Sequence, residues 1–331
     1  MIDNATQSVL DEIKKANIST GNSLVKMVGT PNYFASVVDT NQNYIATATD
    51  GVGSKIDHLL KHEMYSTIGK DCFAMNYNDL ICVGANPIGF SDHITSTQQD
   101  AHIIPKVISG ILDYCNFGFT ALTGGETEIL QRTNFHISGS IMGTVQKDKL
   151  IDGSRVEHGD VILGLPSSGI HANGWTAISK RMPELITPEN LTATKLYARE
   201  IMTLIARVAN PCAIVNITGG GFRNLERIPK NLQYELTFDY TPDPFKDLRC
   251  EFSHQELYTQ FNMGIGMIVI VKMKDLAMSL DAMKDSRVIG GVVENDRPNV
   301  VVQGQDIFFG DSEPYVFKEK EIYEEYKLGD N

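Results

Sequence analysis

Alternating and helically spaced apolar residues divide the first half of the chain into strands and helices. Apolar side chains that alternate with polar ones predict half-buried strands, whereas apolar side chains three or four residues apart predict helices. The predicted strands are 44–49, 88–94, 119–122 and 135–145. The predicted helices are about 66–83 and about 104–117. The strand at 119–122 is expected to be short and buried and to lead into a Gly-rich loop at 123–127.

The second half repeats the order of a strand, a Gly-rich loop and helices. Its predicted strands are 161–165, 214–217, 266–271 and 288–293, with a hairpin at 300–309. Its predicted helices are about 174–182 and 194–209, and a short helix follows Ser253, which forms a capping-box pattern with Glu256. The stretch 147–153 is polar and rich in turn residues. We therefore expect two domains, 1–150 and 151–331, of α/β or α+β class.

Charge and hydropathy exclude several classes of partner. The 29 Lys and Arg residues against 41 Asp and Glu give a net charge of −12 with no basic cluster, so neither nucleic acid nor an anionic membrane surface is an expected partner. The longest apolar run, Met263–Val271, has nine residues, against the roughly 20 that a membrane-spanning helix needs. The N-terminus lacks a signal-peptide pattern, and we expect a soluble cytoplasmic protein.

The five cysteines give no sign of a zinc site or of a disulfide framework. They are odd in number, widely spaced and never arranged as Cys-x-x-Cys. We expect ordinary reduced thiols at all five positions.

Four Gly-rich segments follow predicted strands and are the first candidates for binding. They lie at 50–55, 123–127, 166–174 and 218–222. Glycine permits positive φ and allows backbone N–H groups to approach an anion closely. None of the four has the P-loop or the dinucleotide-binding pattern, so each taken alone is also compatible with a simple tight turn.

Three carboxylates on separate elements suggest a magnesium site. Asp50 ends a strand, Asp79 lies on a helix and Glu126 lies in a Gly-Gly-Glu-Thr run; Mg²⁺ takes a few such oxygen ligands and fills the remaining positions with water or phosphate. The alternatives are that Asp50 forms a turn and that Asp79 is a solvated helix residue. Lys55 would meet a phosphate or lie on the surface, and His171 would be a general base, a substrate hydrogen-bond donor or an ordinary loop histidine.

Two sets of motifs, in this order and spacing, resemble those of the phosphoribosylformylglycinamidine cyclo-ligases. The first set is Asp50–Lys55, Ala74–Leu80 with Gly84–Pro87, and Gly124–Thr127. The second, more specific set is Gly164–Gly174, Ile217–Phe222 and Phe261–Met267. The resemblance runs from about residue 21 to 293. The first set is shared in looser form with selenophosphate synthetase, thiamine-phosphate kinase, a hydrogenase maturation protein and the large amidotransferase of purine synthesis.

The resemblance implies a fold, a reaction and partners. The fold would have an N-terminal α/β domain that binds ATP and Mg²⁺, whose sheet pairs with that of a second subunit in a homodimer, and a C-terminal α+β domain that binds substrate. The reaction would convert formylglycinamidine ribonucleotide and ATP to aminoimidazole ribonucleotide, ADP and phosphate through an iminophosphate. The proposed catalytic residues would be Lys55, Asp79 and His171.

The resemblance also assigns binding residues by motif position. The metal ligands would be Asp50, Asp79 and Glu126. The residues at the ATP phosphates would be Asp50, Gly51, Gly53, Lys55, Gly124, Gly125 and Glu126. The residues at the substrate would be Ser167, Ser168, His171, Asn173, Thr218, Gly219, Gly220 and Gly221.

The chain departs from the family pattern at three places. The segment 28–43 is shorter and poorer in glycine than the stretch expected to cover the nucleotide, the insert after Glu126 is trimmed, and Arg223-Asn224-Leu225 replaces a more usual aromatic and acidic pair. Two alternatives therefore stay open: another ATP-dependent phosphoryl-transfer enzyme of the same superfamily, and a nucleotide-binding relative without catalysis.

Overall fold

The protein forms two mixed β-sheets, each covered by its own helices. The computed structural model describes residues 26–29, 33–208, 211–237, 242–296, 299–302 and 307–309 of the 331-residue chain. Residues 30–32, in the segment expected to cover the nucleotide, lie outside the described residues. The strands of the first sheet are β1 (Lys26–Val28), β2 (Ser36–Asp39), β3 (Tyr44–Gly51), β4 (Asn86–Thr97), β5 (Ala121–Leu130) and β6 (His136–Val145).

The first sheet has the order β1-β2-β3-β6-β4-β5, with only β4 and β5 parallel. Its helices are α1 (Lys55–Lys61), α2 (Tyr65–Cys82) and α3 (Ile104–Phe117). Helices α2 and α3 cover one face of the sheet, and they approach closely where Gly69 lies against the backbone of α3 and Gly110 against the backbone of α2. On the opposite face of the sheet, none of the described helices packs over Ile88 and Met142, which are exposed.

The second sheet contains the remaining seven strands in the order β13-β12-β9-β11-β7-β10-β8. The strands are β7 (Val161–Pro166), β8 (Ala213–Asn216), β9 (Leu232–Leu236), β10 (Ile265–Val271), β11 (Arg287–Glu294), β12 (Asn299–Val302) and β13 (Ile307–Phe309). The helices are α4 (Trp175–Arg181), α5 (Ala198–Arg207), α6 (Phe245–Leu248), α7 (His254–Gln260) and α8 (Leu276–Ala282). The edge strand β8 packs against α2 of the first sheet, so the two units meet at this helix.

Several predicted elements are confirmed. The helix expected at 66–83 is α2, the strand expected at 135–145 is β6, and the capping box of Ser253 and Glu256 opens α7. The predicted hairpin is the antiparallel pair β12 and β13. All five cysteines are free thiols. None of the helices in the described ranges is long and apolar enough to cross a membrane.

The predictions of a short buried strand at 119–122 and of a Gly-rich loop at 123–127 are wrong. These residues belong for the most part to β5, a ten-residue edge strand in which only Leu122 is shielded from solvent to any degree. Phe119, just before it, is 84% exposed. A strand open on both faces and along one edge carries no alternation in its sequence, which is why its extent was missed.

Two helix predictions also need correction. The helix expected from residue 194 begins only at Ala198, because residues 192–197 have no regular secondary structure. The segment after the Gly-rich loop at 50–53 forms a short helix, α1, which the pattern did not predict. Both differences lie at the junction of the two sheets.

Candidate active site

The end of β3 is fixed by a buried asparagine on α2. The backbone N–H of Asp50 donates to Oδ1 of Asn76 at 2.8 Å, and Nδ2 of Asn76 donates back to the carbonyl oxygen of Asp50 at 3.1 Å. The carboxylate accepts a hydrogen bond from the N–H of Gly51 at 2.7 Å. Burial raises the pKa of Asp50, opposed by the Gly51 hydrogen bond and by the charge of Arg227. Asn76 therefore holds the backbone of Asp50 in place. Because burial disfavours the charged carboxylate of Asp50, a cation beside it would be stabilising.

Asp79 lies one turn further along α2 and reaches the second sheet. Its Oδ1 accepts a hydrogen bond from Nδ2 of Asn216, at the end of β8, at 2.7 Å. Burial raises the pKa of Asp79 to about 7; the hydrogen bond from Asn216 and the charge of Arg227 oppose this, and the charge of Asp50 adds to it. Two of the predicted carboxylates are therefore close enough to interact, and the second domain supplies an amide and a guanidinium beside them.

A row of facing residues extends from Asp50 across the first sheet. Asp50 pairs with Gly139 on β6, Gly139 with Asp92 on β4, and Asp92 with Gly125 on β5. Asp92 is 8% exposed, and a Cβ atom at Gly125 would lie 2.8 Å from both of its carboxylate oxygens. Burial raises the pKa of Asp92. Gly125 therefore leaves room for a carboxylate that the sequence reasoning missed.

Glu126, the third predicted carboxylate, points to a different surface. It lies on the exposed strand β5, opposite His93 of β4, and its Oε1 accepts a hydrogen bond from the N–H of Thr127 at 3.0 Å. Its neighbour Gly124 adopts a φ of +146° with open space beside it. In the described ranges no group of three or more His, Cys, Asp and Glu side chains is placed to hold a metal ion. A single chain thus does not bring Glu126 together with Asp50 and Asp79.

The loop between β3 and α1 is open to solvent at its centre. Gly53 is exposed, with a φ of +69° and open space where a Cβ would lie, and its carbonyl accepts the N–H of Ile56 at 3.2 Å. Gly51 before it is half-buried. The turn therefore leaves Gly53 accessible to solvent.

Lys55, which follows that loop, is enclosed. Its side chain is 0% exposed, and its Nζ lies 2.8 Å from Oδ2 of Asp71, which is equally buried. Nζ also donates to the carbonyl oxygen of Thr192 in the second domain at 2.6 Å. Burial lowers the pKa of Lys55, opposed by the charge of Asp71 and the hydrogen bond to it. The alternative of a surface lysine is therefore wrong.

His171 is buried inside the loop that follows β7. Its Nε2 accepts hydrogen bonds from the backbone N–H groups of Ser168 at 3.2 Å and Lys195 at 3.4 Å. Accepting them requires that the ring carry its proton on Nδ1. Burial, together with the charges of Lys55 and Lys195, lowers the pKa of His171 to about 3. The ring is neutral and holds the shape of the loop.

The other predicted residues of this loop are Ser167, Ser168 and Asn173, and they differ in exposure. Ser168 is exposed, and its Oγ donates to the carbonyl oxygen of Ala193 at 2.7 Å. Within the described ranges, the buried Oγ of Ser167 has no hydrogen-bond partner. The half-buried Asn173 approaches the second Gly-rich loop, since its Oδ1 would lie 3.2 Å from a Cβ at Gly219. The two loops of the second domain therefore form one surface.

The 218–221 turn presents its backbone to that surface. Gly219 and Gly220 are exposed, and Thr218 is half-buried. Gly221 is buried, with a φ of +57°, and a Cβ there would come within 2.1 Å of the carbonyl oxygen of Tyr258. Only glycine fits this approach, which begins the 3-10 helix Gly221–Arg227.

The sequence reasoning missed four residues around the predicted carboxylates: Asn76 and Asp92 in the first domain, and Asn216 and Arg227 in the second. A local signal existed for Asn76, which lies three residues before Asp79 on the same helix and belongs to the motif Ala74–Leu80. The others become candidates only when strand register and the contact between the two sheets are known.

Both domains match known sequence profiles. The AIR synthase related protein N-terminal domain matches residues 34–145, and the AIR synthase related protein C-terminal domain matches residues 157–303. The phosphoribosylformylglycinamidine cyclo-ligase of Lactococcus lactis subsp. cremoris is 36% identical over 292 residues, 81% of this chain and 85% of that protein. That of Methanobrevibacter smithii is 32% identical over 300 residues, 84% of this chain and 88% of that protein.

Solved structures share the fold at low sequence identity. A crystal structure of a HypE–HypF complex superposes with a TM-score of 0.65 at 15% identity, covering 93% of this chain and 100% of that chain. AaThiL complexed with AMPPCP and TMP superposes with a TM-score of 0.63 at 15% identity, covering 91% and 94%. The fold, the two matched domains and relatives above 30% identity agree: the chain belongs to the phosphoribosylformylglycinamidine cyclo-ligase family.

Proposed function

We propose that this protein closes formylglycinamidine ribonucleotide to aminoimidazole ribonucleotide with ATP, releasing ADP and phosphate in purine biosynthesis. The observation that carries the proposal is the 31–36% identity to relatives named phosphoribosylformylglycinamidine cyclo-ligase, which extends over both domains. We propose that residues 1–150 bind ATP and that residues 151–331 bind the ribonucleotide. A reaction that consumes ATP fits the cytoplasmic location expected from the sequence.

The proposed chemistry needs two successive displacements. The formyl oxygen attacks the γ-phosphorus of ATP, the bond from that phosphorus to the bridging oxygen breaks and ADP leaves, and the formamide nitrogen loses its proton to give an iminophosphate. An internal nitrogen then attacks the activated carbon, the carbon–oxygen bond breaks, phosphate leaves and the nitrogen loses a proton. No covalent nucleophile is required. Holding the reacting atoms together contributes on the order of 7–11 kcal/mol in such reactions.

The first domain would bind Mg–ATP at the end of β3. Asp50 and Asp79 are carboxylates whose pKa values burial raises, so a cation beside them would be stabilised, and Asp92 is a third buried carboxylate in the same row as Asp50. Mg²⁺ bound there would neutralise charge on the triphosphate. We propose that Gly51, Gly53, Gly124 and Gly125 let the phosphates approach the backbone. Lys55 is enclosed, so we propose no direct phosphate contact for its ammonium.

The second domain would bind the ribonucleotide between its two Gly-rich loops. The exposed Ser168 and the half-buried Asn173 lie on one loop, and the half-buried Thr218 and the exposed Gly219 and Gly220 lie on the other. Open backbone N–H groups are suited to a ribose phosphate. Ser167 would supply its unpartnered hydroxyl, while Gly221 and His171 would keep the loops in shape.

A homodimer would bring Glu126 to the site. Among the described residues, strand β5 has no partner along one edge for ten residues, and apolar side chains are exposed on it and beside it: Ile88, Phe119, Ile129, Leu130 and Met142. Long exposed edges of this kind pair readily with another strand. We propose that two copies associate through this side of the first sheet, which would place Glu126 where a single chain does not.

The test follows two products from purified protein given Mg–ATP and formylglycinamidine ribonucleotide. ADP and the diazotisable aminoimidazole should rise together, and Asp79→Asn should reduce both. ADP without aminoimidazole would assign the chain to another phosphoryl acceptor. If a sample that binds ATP released no ADP, the protein would be a non-catalytic relative.

A further inference from the structure

Residues 192–197 of the second domain, the bridging segment, have no regular secondary structure, yet side chains of the first domain form hydrogen bonds with several of their backbone groups. Asp71 Oδ1 accepts the N–H of Thr194 at 2.6 Å, and Tyr114 Oη donates to the carbonyl of Thr194 at 3.1 Å. Asn78 donates to the carbonyl of Lys195 at 2.9 Å and accepts the N–H of Tyr197 at 3.2 Å. The first domain therefore determines the path of this segment.

The same segment holds the substrate loop on its other side. Ser168 Oγ donates to the carbonyl of Ala193 at 2.7 Å, and Thr192 Oγ1 donates to the carbonyl of Ser168 at 2.9 Å. The N–H of Lys195 and the N–H of Ser168 share Nε2 of His171. A shift of the bridging segment would therefore move Ser168 and His171.

Lys55 connects this arrangement to the Gly-rich loop of the first domain. It is the first residue of α1, directly after the loop 50–54, and its Nζ donates to the carbonyl of Thr192. Lys55 and Asp71 are both 0% exposed and lie 2.8 Å apart, so each supplies the only buried countercharge that the other contacts in the described ranges. Removing one partner would leave a buried charge unpaired.

We propose that Lys55 is a positioning residue: paired with Asp71, it holds the bridging segment and thereby sets Ser168 and His171 for the ribonucleotide. The proposal rests on the proposed function for the identity of that substrate. The ammonium of Lys55 is bonded to Asp71 and to the carbonyl of Thr192 inside the protein. Loss of this ammonium should therefore weaken ribonucleotide binding far more than ATP binding.

The test compares two double variants, one that removes a buried ion pair and one that removes an exposed ion pair. Lys55→Met/Asp71→Asn removes both buried charges, while the Asn retains an oxygen for the N–H of Thr194. The matched control, Lys246→Met/Asp243→Asn, removes an ion pair of 3.5 Å between the same two kinds of residue at an exposed site. We expect the first variant to raise the KM for the ribonucleotide at least tenfold, to change the Kd for ATP less than twofold, and to increase hydrogen exchange in 167–172 and 192–197. The control should change none of these.

Two further variants test the same point with smaller changes. Lys55→Arg keeps the positive charge, so it should bind the ribonucleotide more tightly than Lys55→Met/Asp71→Asn does, although less tightly than the unmodified protein. Tyr114→Phe removes only the hydroxyl that binds Thr194 and should raise the same KM modestly, which keeps the test decisive if the double variant does not fold.

Opposite results would overturn the proposal. A tenfold rise in the Kd for ATP with an unchanged KM for the ribonucleotide would place Lys55 at the phosphates. Unchanged hydrogen exchange in 192–197 would show that the pair does not hold the segment. If the wild-type chain forms no aminoimidazole, the proposed function fails, whereas exchange and ATP binding still decide the role of Lys55.

Discussion

Replacing Asn76 with alanine should destabilise the protein and weaken its binding of Mg–ATP. The side-chain amide of Asn76 is 0% exposed. It forms hydrogen bonds with both backbone groups of Asp50, at 2.8 and 3.1 Å, and with the carbonyl oxygen of Cys72, at 2.8 Å. The Cys72 carbonyl also belongs to the helical ladder, so the main loss is the partner of the Asp50 N–H. A buried orphaned donor costs about 1–3 kcal/mol, and with the small cavity we expect about 2–3 kcal/mol in the free energy of unfolding.

Urea unfolding followed by circular dichroism measures this loss, and calorimetric titration measures the affinity for Mg–ATP. Because Asp50 loses its anchor, we expect the Kd to rise about tenfold, equivalent to about 1.4 kcal/mol. Thr40→Ala is the matched control: it removes a 2.8 Å side-chain bond to the carbonyl of Asn43 that is exposed to water, and its effect should stay below about 0.5 kcal/mol. If Asn76→Ala were as stable as that control, the reasoning would be refuted.

Three further predictions concern backbone, charge and assembly. Gly221→Ala should lower the free energy of unfolding by about 2–4 kcal/mol, because its φ of +57° and the 2.1 Å approach to Tyr258 exclude a Cβ; Gly220→Ala, with its nearest atom at 3.8 Å, should cost about 1 kcal/mol, and equal losses in urea would contradict this. Burial raises the pKa of Asp79 to about 7 from 3.8, so the folded protein binds more protons than the unfolded chain between those values. In EDTA, stability should therefore decrease as pH rises through this window, and Asp79→Asn should flatten the slope; an unchanged slope in urea titrations at several pH values would refute the assignment. Ile129→Lys, at a 42% exposed position on β5, should convert a dimer to a monomer in sedimentation analysis, and a variant that stays dimeric would exclude this edge.

Elements with one buried and one exposed face were predictable from sequence. The alternation in β3 and β6 reports a face covered by helices, and the capping box of Ser253 and Glu256 is a local interaction complete within four residues. Strand β5 and the segment 192–197 were not predictable, because neither has a one-sided environment: β5 is exposed nearly throughout, and non-local side chains hold the segment.

The amino-acid sequence by itself determined the family and the presence of two domains, and it proposed the residue types of the candidate site. Those features depend on motifs and periodicities that local chemistry imposes. Only the tertiary structure decided that Lys55 is enclosed by Asp71, that Asp79 meets Asn216, and that Glu126 lies on another surface. Burial and countercharge depend on which distant segments pack together, and spacing along the chain carries no record of that packing.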